Sequence, residues 1–503
     1  MILENGVIRT LDPALPSARS LAIAGDRIAG GVGVHETALA SPDVVDLGGR
    51  AVLPGFTDAH VHFPTWAAVQ RDVKLEGCAS KAEALDRVRR AERHGRWLRG
   101  HGWRDADWPD GNPTRHDLDE AVPDRPAMLV SKDYHALWLN SAALALAGGD
   151  LEVPGGVVVR DEAGEPTGLL YEESAWHFKN RHAVIPADEY VEAMRHGLRL
   201  ANERGVVALH DKDGWLGAVG LWERLEQQQS LTARVWQSAP AETLPQLREV
   251  GLRSGLGSPL LRLGYLKTFM DGTLGSQTAW MLDGSGVVIT SSEQLEEIVR
   301  SAAEAGWPVG VHAIGDAANR AALLAFERSR DVWEPRGLRQ RIEHAQCLAP
   351  EDVARFAELG VAASVQFSHA PSDEHLAKRF WPDTLDGAYS FRSLLESGAV
   401  LANGSDAPVE ELDPWAGVVS AVLGHWREDQ RLTVAEALHA VCVAPTWLSY
   451  DERVRGTLVP GRYADLVVLD RDPFSVEPGE LPDVRVVATM LAGRWIHNPP
   501  PWD

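Results

Sequence analysis

The chain has little cysteine and little lysine. It also has no long apolar run and no excess of positive charge. Only Cys78, Cys347 and Cys442 are present among 503 residues. They are far apart, odd in number and in no CxxC pair, so a disulfide framework and a thiolate metal site are both excluded, and a reducing cytoplasm is the expected compartment. No stretch of eighteen apolar residues offers a membrane span. The opening "MILENGVIRTLDP" has no basic segment before an apolar core, so it does not read as a secretion signal. The formal net charge is −23, which opposes nucleic acid and anionic membrane as partners. Only seven of the 49 basic residues are lysine, so a lysine inside an apolar strand stands out. There is no internal repeat and no low-complexity tract.

What remains is an ordinary globular composition, 45% hydrophobic, long enough for one large barrel with additions. Residues 1–52 read as short strands between Gly, Asn, Asp and Pro turns, and 453–503 read the same way. The two ends are expected to pair into one small β-sandwich domain. The middle, 53–452, alternates strands and helices. Helical patterns such as "SEQLEEIVRSAAEAG" and "PEDVARFAELG" stop at glycine and lead into short apolar runs. That rhythm predicts parallel strands with helical crossovers. It breaks over 75–200, a Pro-, Asp- and Trp-rich stretch too long for one crossover, which reads as an insertion. The 18 tryptophans are expected to fill this insertion and its contact with the barrel.

The chemistry begins at "LPGFTDAHVHF". Strand side chains alternate, so His60 and His62 project together from a strand end, as two ligands of one metal ion would. Further candidates end later apolar runs: Lys267 in "LRLGYLKTFMDG", His312 in "VGVHAIGD", His344 in "RIEHAQ" and Asp406 in "VLANGSDAPV". The gaps are 45, 32 and 62 residues. One barrel repeat takes about 30–45 residues. Lys267, His312 and His344 therefore fall on strands 4, 5 and 6, and Asp406 on strand 8. "GVAASVQF" serves as strand 7, "TARVWQSAP" as strand 3, "GVVALHDKDG" as strand 2 and "AVLPGFTDAHVH" as strand 1. Every candidate then ends a strand, where barrel active sites form.

This constellation resembles the amidohydrolase superfamily, and within it the amidohydrolase-3 group of YtcJ-like proteins and N-substituted formamide deformylases. The matching text includes "LPGFTDAHVHF", "PAMLVSKDYHALWLNSAAL", "PGGVVVRDEAGEPTGLLYE", "LKTFMDGTLGSQTA", "VHAIGDAANRAAL", "RIEHAQ", "NGSDAPVEELDPW" and "GTLVPGRYADLVVLDRDP". It covers nearly the whole chain in family order. The resemblance implies a distorted (β/α)8 TIM-like barrel, a β-sandwich from both termini, and an insertion between strands 1 and 2. It further implies one or two divalent metal ions, zinc first among them. The implied ligands are His60, His62, Lys267, His312, His344 and Asp406, with Lys267 carboxylated by CO2 to a carbamate. An unmodified ammonium has no lone pair to give a cation. The competing reading of Lys267 is an ion pair with Asp271.

The implied activity is hydrolysis of a C–N bond in a small molecule, of the non-peptide amide or N-formyl type, with Asp406 moving the proton. Cyclic amidine or imide deamination and ring opening use the same scaffold and form the alternative. A non-catalytic binding member of the fold would have lost ligands, and here all six positions are filled. His135, Trp103, Gln277 and Gln366 are candidates for substrate contact, and for Trp103 and Gln366 ordinary packing or capping competes. So it does for Tyr171 and Glu172. Gln277 stands in "GSQTA" where relatives often carry arginine, which implies a neutral substrate group there. Asp316 is expected to cap a helix, and His210 and Asp211 to serve structure. A homodimer is the default assembly.

Overall fold

The computed structural model describes residues 1–30, 43–92, 95–103, 108–109, 111–131, 136–275 and 277–502. Eight parallel strands form one sheet in chain order: β1 Phe56–Val61, β2 Val206–Asp211, β3 Arg234–Pro240, β4 Leu261–Phe269, β5 Val309–Ala313, β6 Arg341–His344, β7 Ala362–Val365 and β8 Leu401–Asn403. All but four of their residues are buried, as strands covered on both faces must be. The crossover helices end where the sequence stops them: Pro350–Leu359 runs into Gly360 at φ +69°, a left-handed position that glycine takes at low cost.

Beyond the ends of β8 and β1 the chain closes the barrel by loop hydrogen bonds. Asp406 N–H donates to His60 O (2.7 Å) and His62 N–H to Ala407 O (2.9 Å). The Asp58 carboxylate accepts from the His60 and Ser405 N–H groups. Gly404 lies so close to β1 that an added Cβ would sit 2.2 Å from His60 N. The seam that closes the barrel thus fixes three of the six candidate ligands at once.

The stretch read as strand 1 is two strands. Ala51–Pro54 pairs antiparallel with Leu466–Leu469 in a six-stranded terminal sheet, and Phe56–Val61 belongs to the barrel. Gly55 makes the break: a Cβ there would meet the Val207 side chain at 2.5 Å. A four-stranded sheet of Ile2–Glu4, Leu21–Ala24, Arg27–Gly30 and Val44–Asp46 completes the sandwich. Residues from both ends share its core, Leu3, Ile8 and Leu21 with Leu466, Val468 and Met490.

Sandwich and barrel are joined by a buried ion pair. Arg234 of β3 donates Nε to Asp465 Oδ2 at 2.7 Å and a second N–H to Oδ1 at 3.1 Å. Asp465→Asn would leave the guanidinium buried without its anion. The expected cost is about 3 kcal/mol or more, read as a lower urea midpoint with an unchanged transition slope.

Pro64–Met194 form a separate compact unit. Its six-stranded sheet has the order Gly156–Arg160, Pro166–Glu172, Ala136–Leu139, Ala127–Ser131, Leu98–Trp103, Val73–Lys74. One of its cores holds Trp103, Trp108 and Trp138, and another packs Trp97 on Phe178. All three cysteines of the chain are free and buried. Among the described residues no helix is long and apolar enough to cross a membrane.

Candidate metal centre

His60 ends β1 with its Nδ1–H on Glu343 Oε2 (2.8 Å) and its Nε2 at 3.3 Å from Asp406 Oδ1. His62 gives Nδ1–H to Asp213 Oδ1 (2.7 Å) and places Nε2 at 3.7 Å from the same Asp406 oxygen. His344 gives Nδ1–H to Gln366 Oε1 (2.8 Å), which leaves Nε2 with the lone pair. Three imidazoles thus have one nitrogen held by an oxygen. Metal-binding histidines are characteristically oriented in this way. One donor atom each from His60, His344 and Asp406 fall within 4.8 Å of one another. The His344 ring lies 4.7 Å from that of His60 and 4.5 Å from that of His312.

His344 and Asp406 both have positive φ, 74° and 58°. Such conformations are uncommon outside glycine and cluster where the chain must aim a side chain. Here each lies where a barrel strand gives way to its loop.

The protonation pattern suits a cation. Burial, then the Lys267 charge, pushes His312 down to about 3. Burial, then His312 and His60, pushes His344 well below the usual imidazole range. Burial and Lys212 lower His60 as well. Neutral rings keep their lone pairs. His62 moves the other way, because Asp213 outweighs the effect of burial. Burial alone would raise Asp406, but His60, then His344 and His369, outweigh it and hold the carboxyl well below its usual range.

Lys267 is 1% exposed, and among the described residues its Nζ makes no hydrogen bond. The ion pair with Asp271 is not formed: that carboxylate accepts instead from the N–H groups of Trp280, Ile314 and Gly315. Burial pushes the amine down to about 8. Its Nζ lies 4.7 Å from the centre of the Phe269 ring. The donor atoms of His60, His344 and Asp406 are close enough together to hold a divalent ion.

The other expected residues divide. Gln366 holds His344 and is buried, so it positions a ligand and does not face a substrate. Trp103 lies in the insertion core with Nε1–H on Leu129 O, so packing accounts for it and a substrate contact does not. Gln277 lines a cavity of about 330 Å³ with Asp316 and Trp381, which none of the six candidate ligands lines. His135 lies outside the described residues. Tyr171 and Glu172 end a strand of the insertion sheet. Gly315, not Asp316, is the helix cap; the Asp316 carboxylate accepts from Leu282 and Ala317 N–H. His210 is bonded to Arg341 and Asp211 to Trp222, both structural. His312 Nε2 lies 2.9 Å from Gly272 O.

Four residues were not singled out by the sequence. Glu343 anchors His60 and also binds Lys212 Nζ at 2.7 Å. Asp213 orients His62. His369, after β7, places Nε2 at 3.8 Å from Asp406 Oδ2, and that nitrogen has no hydrogen bond among the described residues. Only His369 carried a signal, since "SVQFSHAP" puts a histidine in the loop that follows a barrel strand.

A family model described as the amidohydrolase family matches residues 43–497. The chain belongs to the amidohydrolase family. With membership comes the coarse activity of a metal-dependent hydrolase. Among amidohydrolase relatives, YtcJ of Bacillus subtilis is 31% identical over 90% of this chain and 90% of its own length. N-substituted formamide deformylase of Arthrobacter pascens is 27% identical over 98% of this chain and 97% of its own. The crystal structure of a metal-dependent hydrolase from Pyrococcus furiosus superposes with a TM-score of 0.81 at 27% identity, covering 94% of this chain and 99% of that one.

Proposed function

We propose that this amidohydrolase hydrolyses the C–N bond of a small, non-peptide amide or N-formyl compound. The observation that carries the proposal is the set of oriented histidines around Asp406 together with the buried Lys267 amine, which makes no hydrogen bond among the described residues. His60, His62, His312, His344, Asp406 and carboxylated Lys267 would hold one or two divalent ions, zinc by preference for imidazole-rich ligation. Bound metal would lower the pKa of water toward ~7 and polarise the substrate carbonyl.

The chain's own groups do the rest. Asp406 is ionised and at the centre of the cluster, so one of its oxygens takes the proton from the attacking water and delivers it to the leaving nitrogen. His62 is the most open of the ligands, with 31% of its side chain exposed, and borders the approach of substrate. Glu343, Asp213 and Gln366 keep the rings from turning.

The formamide-deformylase relative supports the N-formyl class, and a lysine ligand favours amide hydrolysis over single-metal deamination. The test is a screen of N-substituted formamides, simple amides, nucleobases and cyclic imides, scoring formate, amine and ammonia. Formate plus amine supports the reading. Ammonia from nucleobases, with no turnover of formamides, contradicts it.

Lys267→Ala tests the carbamate. Turnover is expected to fall at least ~100-fold, on the scale of losing a metal-positioning group. Millimolar acetate or propionate, which can occupy the vacated space, is expected to restore part of it. Turnover within threefold of wild type would remove Lys267 from the site.

A further inference from the structure

The insertion unit contains a second group of metal-type side chains, remote in sequence from the barrel ligands. Asp150 follows the helix Ser141–Ala147, His177 lies in the helix Glu173–Arg181, and His182 caps that helix. His177 Nε2 lies 3.1 Å from Asp150 Oδ1, and His182 Nε2 lies 3.3 Å from Oδ2. One donor atom from each of the three residues falls within 4.8 Å of the others.

The directions matter more than the distances. Both Nε2 atoms are buried, and among the described residues neither makes a hydrogen bond. They approach the carboxylate but lie off the line an N–H···O bond needs. A cation between the three groups explains both facts. With bonds of about 2.0–2.2 Å in tetrahedral geometry, neighbouring donors on one zinc lie about 3.3 Å apart. The barrel centre shows the same spacing, 3.3 Å from His60 Nε2 to Asp406 Oδ1. Ring separations agree too: His177 and His182 are 5.9 Å apart, as are His60 and His62.

Arg181 Nε lies 2.9 Å from Asp150 Oδ2. It adds to the larger effect of His177 in holding the Asp150 carboxyl below its usual range, and the carboxylate presents Oδ1 to His177 and Oδ2 to His182. Arg181 also opposes a dication electrostatically, so the site would be weaker than a closed structural one. The Asp150 side chain is 45% exposed, which gives water access to a fourth position. Two imidazoles, a carboxylate and water suit zinc and its neighbours in the first row.

We propose that Asp150, His177 and His182 bind one zinc-type divalent cation, which staples the turn after one helix to the end of another. The proposal does not depend on the barrel centre. The test is zinc per chain by elemental analysis, after equilibration with zinc and removal of the free ion. It compares the wild-type protein with His177→Gln/His182→Gln and with Asp150→Asn. Each variant is expected to hold about one equivalent fewer than wild type, with hydrolytic turnover unchanged. That difference persists whatever the barrel binds. Asp150 is at the surface, so Asp150→Asn is expected to fold even where the double variant does not. Asp150→Asn protein that is folded and carries the full wild-type zinc count overturns the proposal.

Discussion

Asp406→Asn is expected to fold like the wild type and to lose at least ~10³-fold in kcat. The size follows from the two roles the carboxylate combines, ligand and proton carrier, of which proton transfer alone is worth about 10²–10⁴. Asparagine keeps the volume and is among the few residues that accept the left-handed backbone found here, φ 58°. The backbone N–H bond to His60 O also survives. Packing is unaltered, so the variant is expected to fold, with a loss of stability at neutral pH because its neighbours hold the carboxyl well below its usual range in the folded state. Thermal melting and steady-state kinetics on the same preparation separate the two effects. A variant retaining a tenth of wild-type turnover would take Asp406 out of the chemistry.

The second large effect is expected at a residue that touches no substrate. Glu343 is fully buried and faces three positive or proton-donating groups: His60 Nδ1 at 2.8 Å, Lys212 Nζ at 2.7 Å and Arg341 Nε at 2.7 Å. Burial would raise its carboxyl, but Arg341, then Lys212 and His60, outweigh it and hold the group well below its ordinary range. Glu343→Gln keeps the shape and removes the anion, so two buried cations lose their counter-charge. Breaking such a cluster costs about 3–5 kcal/mol. His60 also loses the carboxylate that fixes its ring, which lowers metal affinity about 10–100-fold. The expected signature is a lower urea midpoint together with turnover that recovers when excess zinc is added. Unchanged metal dependence in a destabilised protein would make Glu343 structural only.

The candidate ligands were legible because barrel geometry is written in spacing. His60, His62, His312, His344 and Asp406 each end an apolar run, and the runs recur at the length of a βα repeat. All eight strands fall where those runs place them. The boundary at Gly55 was not read, because apolar residues flank it on both sides in "AVLPGF" and only contact with Val207 shows where one sheet hands over to the other. The groups that orient the ligands were hidden for a different reason. Glu343 meets His60 across 283 residues of chain, and Asp213 meets His62 across 151. Such pairs depend on which side chains the folded barrel brings together, Glu343 and His60 from strands that are not neighbours in the sheet, and no local pattern encodes that. Gln366 directly follows the strand Ala362–Val365, and whether it faces a substrate or the ring of His344 depends on the position of His344.

The most direct test of the metal centre is a crystal structure of protein purified without chelator, with anomalous diffraction measured at the edge of the metal it carries. One or two peaks are expected within bonding distance of His60, His62, His344 and Asp406, with density extending from Lys267 Nζ as a carbamate. No peak among these residues in zinc-supplemented crystals, with Lys267 unmodified, would contradict the proposed centre.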